Sequence, residues 1–191
     1  DGVLTVGLTG EIMLMATGHD VGQATRVFLE DKDLLDFVEP ARDLLQTFGD
    51  RLWVPLDVAV LEDGQRVELL REDLPAQAMI VDIGRRTVEV YGARIATAGT
   101  IFVNGPAGIY EDTASAFGTQ ALWQAMASSP AFTVIGGGDS IAAARRFGLL
   151  NGFSYVCTAG GGLVRFLAGE PLHVVQALAE AAARRQQGGS A

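Results

Sequence analysis

The feature that most constrains this chain is a recurring spacing. Short apolar runs stop at glycine and give way at once to a helical pattern, as in "TIFVNG", "FTVIGGG" and "FSYVCTAGGG". A strand covered on both faces reads as an unbroken apolar run, and strands that alternate with helices feed a parallel sheet. The pattern therefore predicts an α/β fold, Rossmann-like and three-layered, with a mostly parallel sheet and helices on both faces. Strands are expected near Val3–Val6, at Leu52–Val54, up to Asp82, up to Val103, and along "FTVIG" and "FSYVC", with a first helix from about Glu11. Asp63-Gly64 sits between two further apolar runs and signals a small antiparallel hairpin.

No interior linker rich in Pro, Gly or Ser divides the 191 residues, so one domain is expected over 1–185, with 186–191 a disordered tail after a helix that dissolves past Arg185. Asp1 stands almost directly on an apolar run, from which we expect a natural chain that starts earlier. With 49% apolar residues a real core can form. The charge balance, 14 basic against 23 acidic groups for a net −9, argues against nucleic acid or an anionic membrane as partner, since both reward clustered cations. Lys32 is the only lysine, and the arginines are scattered. A single cysteine, Cys157, excludes an internal disulfide and suits a reducing compartment. With no apolar run of membrane-spanning length and no signal peptide, the expected location is cytoplasmic.

In an open parallel sheet the loops that leave the carboxyl ends of the strands share one edge, and ligands bind there. Four of these loops carry glycine: Gly7–Gly10, Gly105–Gly108, Gly136–Gly138 and Gly160–Gly162. The last two lead directly into helices, whose first N–H groups make an anion site, with phosphate the obvious anion. Each loop also reads simply as a tight turn. Asp139 followed by Ser140 reads either as a helix N-cap or as a carboxylate placed for Mg²⁺, which is commonly held by one carboxylate plus substrate phosphates. Glu111 is a surface acid or a partner for ribose hydroxyls. His19 and His173 read as solvated, Cys157, Trp53 and Trp123 as packing, and Arg145 and Arg146 as a polar helix face. Arg85 and Arg86 follow the strand ending at Asp82 and either reach the same edge or face solvent. The phosphate-binding pattern GxxxxGK[ST] and the dinucleotide pattern GxGxxG are both absent.

"TIFVNGPAGIYE", "AFGT", "FTVIGGGDSIAAARRFGL", "FSYVCTAGGG" and "RFLAGEPL" resemble, in order and approximate spacing, the carboxyl-terminal half of phosphoglycerate kinase. The opening "DGVLTVGLTGEIMLMATGHDVG" and the later "LPAQAMIVDIGRRT" look most like the archaeal branch. The resemblance spans essentially the whole chain and implies a nucleotide-binding domain. In it Gly137, Gly138, Asp139 and Ser140 would bind the phosphates of ATP or ADP, with Asp139 facing Mg²⁺. Glu111 would hold the ribose, and Asn104, Pro106 and Gly108 would shape the adenosine side together with Gly7. Gly160, Gly161 and Gly162 would present a helix start to the phosphoryl group in transfer. The implied reaction is reversible transfer between 1,3-bisphosphoglycerate and ADP to give 3-phosphoglycerate and ATP. An amino-terminal domain absent from this chain would hold the phosphoglycerate, and the lysines that open the family's nucleotide domain would lie upstream of Asp1. Ala159 follows Thr158 where the family carries glycine, Val6 stands where glycine is usual, and Ile80 replaces another small residue. The expectation is a phosphotransferase whose isolated domain does not turn over. The alternatives are a stand-alone, non-catalytic nucleotide-binding module and an unrelated α/β enzyme acting on a phosphorylated metabolite.

Overall fold

The computed structural model of the chain describes residues 1–188; the end of the expected tail, 189–191, lies outside them. The order is β1 (Val3–Leu4), α1 (Gly7–Ala16), α2 (Gln23–Glu30), α3 (Val38–Phe48), β2 (Leu52–Trp53), β3 (Asp57–Glu62), β4 (Gln65–Leu70), β5 (Ile80–Ile83), α4 (Arg85–Thr97), β6 (Thr100–Asn104), α5 (Phe117–Ala127), β7 (Phe132–Gly136), α6 (Gly138–Arg146), β8 (Tyr155–Cys157), α7 (Gly161–Leu167) and α8 (His173–Gly188). The α/β class is as expected, but the strands divide among three sheets. Parallel β1–β2 and parallel β6–β7–β8 are accompanied by an antiparallel sheet ordered β4–β3–β5.

The hairpin forms where Asp63-Gly64 predicts it. Asp63 and Gly64 both take positive φ, 49° and 76°, the turn whose twist matches the flanking strands. The antiparallel sheet is larger than a hairpin because β5 joins it, pairing Val58 with Ile83 and Ala59 with Asp82 across β3. Two further expectations shift. Helix α1 begins at Gly7, not Glu11, so Gly7–Gly10 is a first helical turn, not a loop. Helix α8 continues past Arg185 to Gly188, since Gln186 and Gln187 are good helix formers.

Two apolar clusters hold the molecule. One joins α1, α3 and the antiparallel sheet around Leu14, Leu29 and Val60. The other gathers α4, α5 and α6 about the β6–β7–β8 sheet, with Trp123 and Ile135 fully enclosed. Trp123 is packing, as its sequence context suggests, and its indole N–H also donates to the Ser140 carbonyl at 3.1 Å. Cys157 is a buried free thiol in β8. Among the described residues no helix is long and apolar enough to cross a membrane.

Candidate functional site

Strands β6, β7 and β8 lie side by side in parallel, with Asn104 opposite Gly136 and Gly136 opposite Cys157. Their carboxyl ends therefore deliver three of the glycine segments to one edge. Gly137 takes φ +89°, and a Cβ there would lie 2.6 Å from Asn104 Oδ1; a Cβ on Gly160, at φ +47°, would lie 3.9 Å from the Gly137 Cα. At Gly137 both the positive φ and the close approach call for a residue without a side chain, whereas at Gly160 the space admits a Cβ and the positive φ alone favours glycine. The fourth segment reaches the same place through α1, because a Cβ on Gly7 would meet the Pro106 carbonyl oxygen at 2.7 Å.

Helix α6 opens toward this edge. The Ile141 N–H is the first to bond back, to the Gly137 carbonyl at 3.1 Å. The N–H groups of Gly138, Asp139 and Ser140 are left without intrahelical acceptors, as at any helix start. Neither Asp139 nor Ser140 is the N-cap. Gly137 holds that position and no side chain caps the helix, so the structural role foreseen for Asp139 is not the one it has. Its carboxylate is exposed, in the first turn, with no hydrogen-bond partner among the described residues. Ser140 is fully buried, and its hydroxyl accepts the Gly105 N–H at 2.7 Å. It ties the start of α6 to the loop after β6. Gly138 has open space around it, and a Cβ there would touch nothing within 4 Å.

Helix α7 starts in the same way, with Gly160 at its N-cap and Leu163 N–H reaching the Gly160 carbonyl at 3.1 Å. Gly161 faces open space, and Gly162 donates its N–H to the Ala159 carbonyl at 2.8 Å. Ala159 itself is exposed, and a Cβ added at Gly162 would lie 3.7 Å from its Cβ, an ordinary contact.

The loop 105–116 is pinned from below. Ile109 N–H donates to the Val81 carbonyl at 2.9 Å, and Ala107 N–H to Thr119 Oγ1 at 3.0 Å. Gly108 lies so close to β5 that a Cβ would fall 2.2 Å from the Val81 carbonyl oxygen. Its glycine is explained by that approach whether or not a ligand comes near. Glu111 is exposed and sits beside Tyr110, whose hydroxyl is held above the ordinary phenol value by desolvation and by the charges of Glu111 and Asp139. Arg146 pulls the other way.

Sequence reasoning missed the layer beneath. Arg66, on β4, donates to Asp82 Oδ2 at 2.9 Å, to the Ile83 carbonyl at 2.7 Å and to Glu68 at 2.9 Å. Asp82 Oδ2 also accepts the Gly118 N–H at 2.7 Å, so the segment leaving the site is clamped to β5. Burial nevertheless pushes the Asp82 carboxyl up to about 6, against the pull of Gly118 and Arg66. Asp57, on β3, accepts the N–H groups of Arg86 and Thr87 at 2.9 and 2.8 Å and caps α4 from outside the helix. Arg85 stacks on Phe117 at 4.6 Å and pairs with Glu68, which leaves it at the antiparallel sheet, away from the glycine edge. His173 is exposed, as are Arg145 and Arg146, while His19, only partly so, shares a hydrogen bond with Thr17 at 3.0 Å.

A family model described as phosphoglycerate kinase matches residues 1–170. The phosphoglycerate kinase of Methanothermus fervidus is 38% identical over 184 residues, covering 96% of this chain and 45% of its own length. That of Methanopyrus kandleri is 42% identical over 176 residues, covering 92% and 43%. Among solved structures, phosphoglycerate kinase from Pyrococcus horikoshii OT3 superposes with a TM-score of 0.86 at 40% identity, over 93% of this chain and 45% of that one. The chain spans less than half the length of these relatives.

Proposed function

This chain belongs to the phosphoglycerate kinase family, and from that premise we propose that it supplies the nucleotide site for reversible phosphoryl transfer between 1,3-bisphosphoglycerate and ADP. The observation that carries this reading is the meeting of Asn104, Gly137 and Gly160 at one sheet edge, with the free N–H groups of α6 opening onto it. Phosphoryl transfer asks a protein for positioning and charge stabilisation more than for covalent chemistry. In this reading the N–H groups of Gly138, Asp139 and Ser140 hold nucleotide phosphates, and the start of α7 at Gly160, Gly161 and Gly162 faces the group in transfer. Glu111 accepts from the ribose hydroxyls. Gly7, Asn104, Pro106 and Gly108 shape the adenosine side.

Mg²⁺ fits the donor set. Among the described residues no group of three or more His, Cys, Asp or Glu could hold a metal by itself. Asp139 offers one exposed, unpaired carboxylate beside a phosphate cradle, the arrangement Mg²⁺ takes when nucleotide phosphates and water complete its shell. When bound, the ion would neutralise charge on the phosphates. The phosphoglycerate would be held by the part of the longer relatives that this chain does not span, and closure of that part over the edge would exclude water.

The test is calorimetry of the folded chain with Mg·ADP, followed by turnover assays of this chain and of the same chain extended to the length of its relatives. Weak binding by the chain and turnover only in the extended protein are expected. A folded chain that takes no nucleotide at millimolar concentration refutes the assignment. Binding without turnover in the extended protein favours a non-catalytic nucleotide module.

A further inference from the structure

Two buried carboxylate oxygens have no hydrogen-bond partner among the described residues: Glu11 Oε2 and Asp82 Oδ1. Glu11 lies on the inner face of α1 at 7% exposure and Asp82 on β5 at 2%. Both line one small cavity, of about 10 Å³, beneath Gly7 and Ala107. Its remaining walls are apolar or backbone, Leu14 and Val58 among them, so no other ionisable side chain reaches it. A single water needs about 10–15 Å³ of such space and two to four polar partners. Two acceptors sharing a buried space with no donor leave both desolvated and unpaired, which is costly.

We infer that Glu11 and Asp82 form a water-linked acid–carboxylate pair: the cavity binds one water, Glu11 carries a proton on Oε2 and donates it to the water, and the water donates to Asp82 Oδ1. Every orphan is then satisfied, with one water hydrogen left for a backbone carbonyl. The proton belongs on Glu11 because Asp82 Oδ2 accepts from both Arg66 and the Gly118 N–H, which favour the ionised form. Glu11 has only burial acting on it, which pushes its carboxyl up to about 7.

The other charges around the pair are already engaged. Arg66 is shared between Asp82 and Glu68, Arg85 pairs with Glu68, and the Asp57 carboxylate is turned to the start of α4. Losing the Glu11 proton therefore places a second negative charge against Asp82 with nothing to offset it. Asp82 is also what clamps Gly118, and Gly108 packs against its Cα, so the strain falls on the 105–118 segment. The sign follows from both raised carboxyl values. The stabilising contribution is complete below the unfolded values of 4.5 and 3.8 and is lost as pH rises through about 6 for Asp82 and about 7 for Glu11.

The experiment uses the whole chain and needs no nucleotide. Side-chain carboxyl carbons are followed by NMR from about pH 4 to pH 8, and thermal midpoints are recorded over the same range for the wild type and Glu11→Gln. The Glu11 carboxyl is expected to titrate near neutrality and to shift the Asp82 signal as it does so. The wild-type midpoint is expected to fall toward pH 8, with Glu11→Gln losing the part of that fall above about pH 6, where Asp82 no longer contributes. A Glu11 carboxyl that titrates in the ordinary carboxylate range overturns the proposal, and the wild-type spectrum decides this even where the variant does not fold. A wild-type midpoint that rises when sodium replaces tetramethylammonium at fixed ionic strength also overturns it, since a cation would then fill the cavity.

Discussion

The hydroxyl of Ser140, in the first turn of α6, accepts the N–H of Gly105, in the loop after β6, at 2.7 Å. One fully buried side chain thus fixes the spacing between the two segments that carry most of the candidate nucleotide contacts.

Ser140→Ala should therefore act on fold and site together. The Gly105 N–H loses its acceptor in a partly buried setting, a cost of about 1–2 kcal/mol in denaturant unfolding. Nucleotide affinity measured by calorimetry should fall as well. A variant equal to wild type in both would show that the tie is incidental.

Gly138 and Gly108 should separate ligand from fold. Gly138→Ala meets open space at an ordinary φ, so its unfolding midpoint should stay near wild type while nucleotide binding weakens, because a methyl would then stand at the proposed phosphate cradle. Gly108→Ala should unfold the protein or cost more than about 3 kcal/mol, since its Cβ would fall on the backbone of β5. Circular dichroism melts and binding titrations distinguish the two. Unchanged affinity in Gly138→Ala would remove phosphate from this position.

Asp139→Ala should weaken nucleotide binding strongly in the presence of Mg²⁺ and little in its absence. Since Asp139 makes no cap, its unfolding free energy should change by less than about 0.5 kcal/mol. Equal losses of affinity with and without the metal would return this carboxylate to a general surface role.

Arg66→Met should destabilise the protein strongly. Asp82, whose side chain is fully buried, would lose its cationic partner while staying in a low-dielectric setting, a loss of about 3–5 kcal/mol. Adding Asp82→Asn should recover part of that loss, because the amide carries no charge to bury. Additive losses in the double variant, read from denaturant midpoints, would mean that the pair is not coupled.

How much of this could be read from the sequence depends on how far apart the interacting residues lie along the chain. The Asp63-Gly64 hairpin and the glycine ends of β6, β7 and β8 are local signals, and the structure has each where its residues predict. The start of α1 was missed because Gly7 looks like a turn residue and in fact opens a helix at positive φ. Asp139 next to Ser140 has the composition of an N-cap, yet Gly137 occupies that position and Ser140 is spent on a residue 35 positions earlier. Arg66, Asp82 and Asp57 carry no motif at all. Arg66 reaches Asp82 16 positions on, and Asp57 and Asp82 accept helix N–H groups 29 to 36 positions on, so no local motif records the pairings.

The clasp of Asp57 on the start of α4 bears on the order in which the chain folds. Gly84 offers α4 no side-chain cap, so the helix takes its acceptor from β3, 30 residues before Thr87. A helix whose first turn waits on a distant strand gains little by forming early, because loop closure has to come first. Folding of this half should accordingly be gated by the docking of β3. Substitutions at Asp57 should slow refolding in proportion to the stability they remove, whereas changes on the exposed face of α4 should act mainly on unfolding.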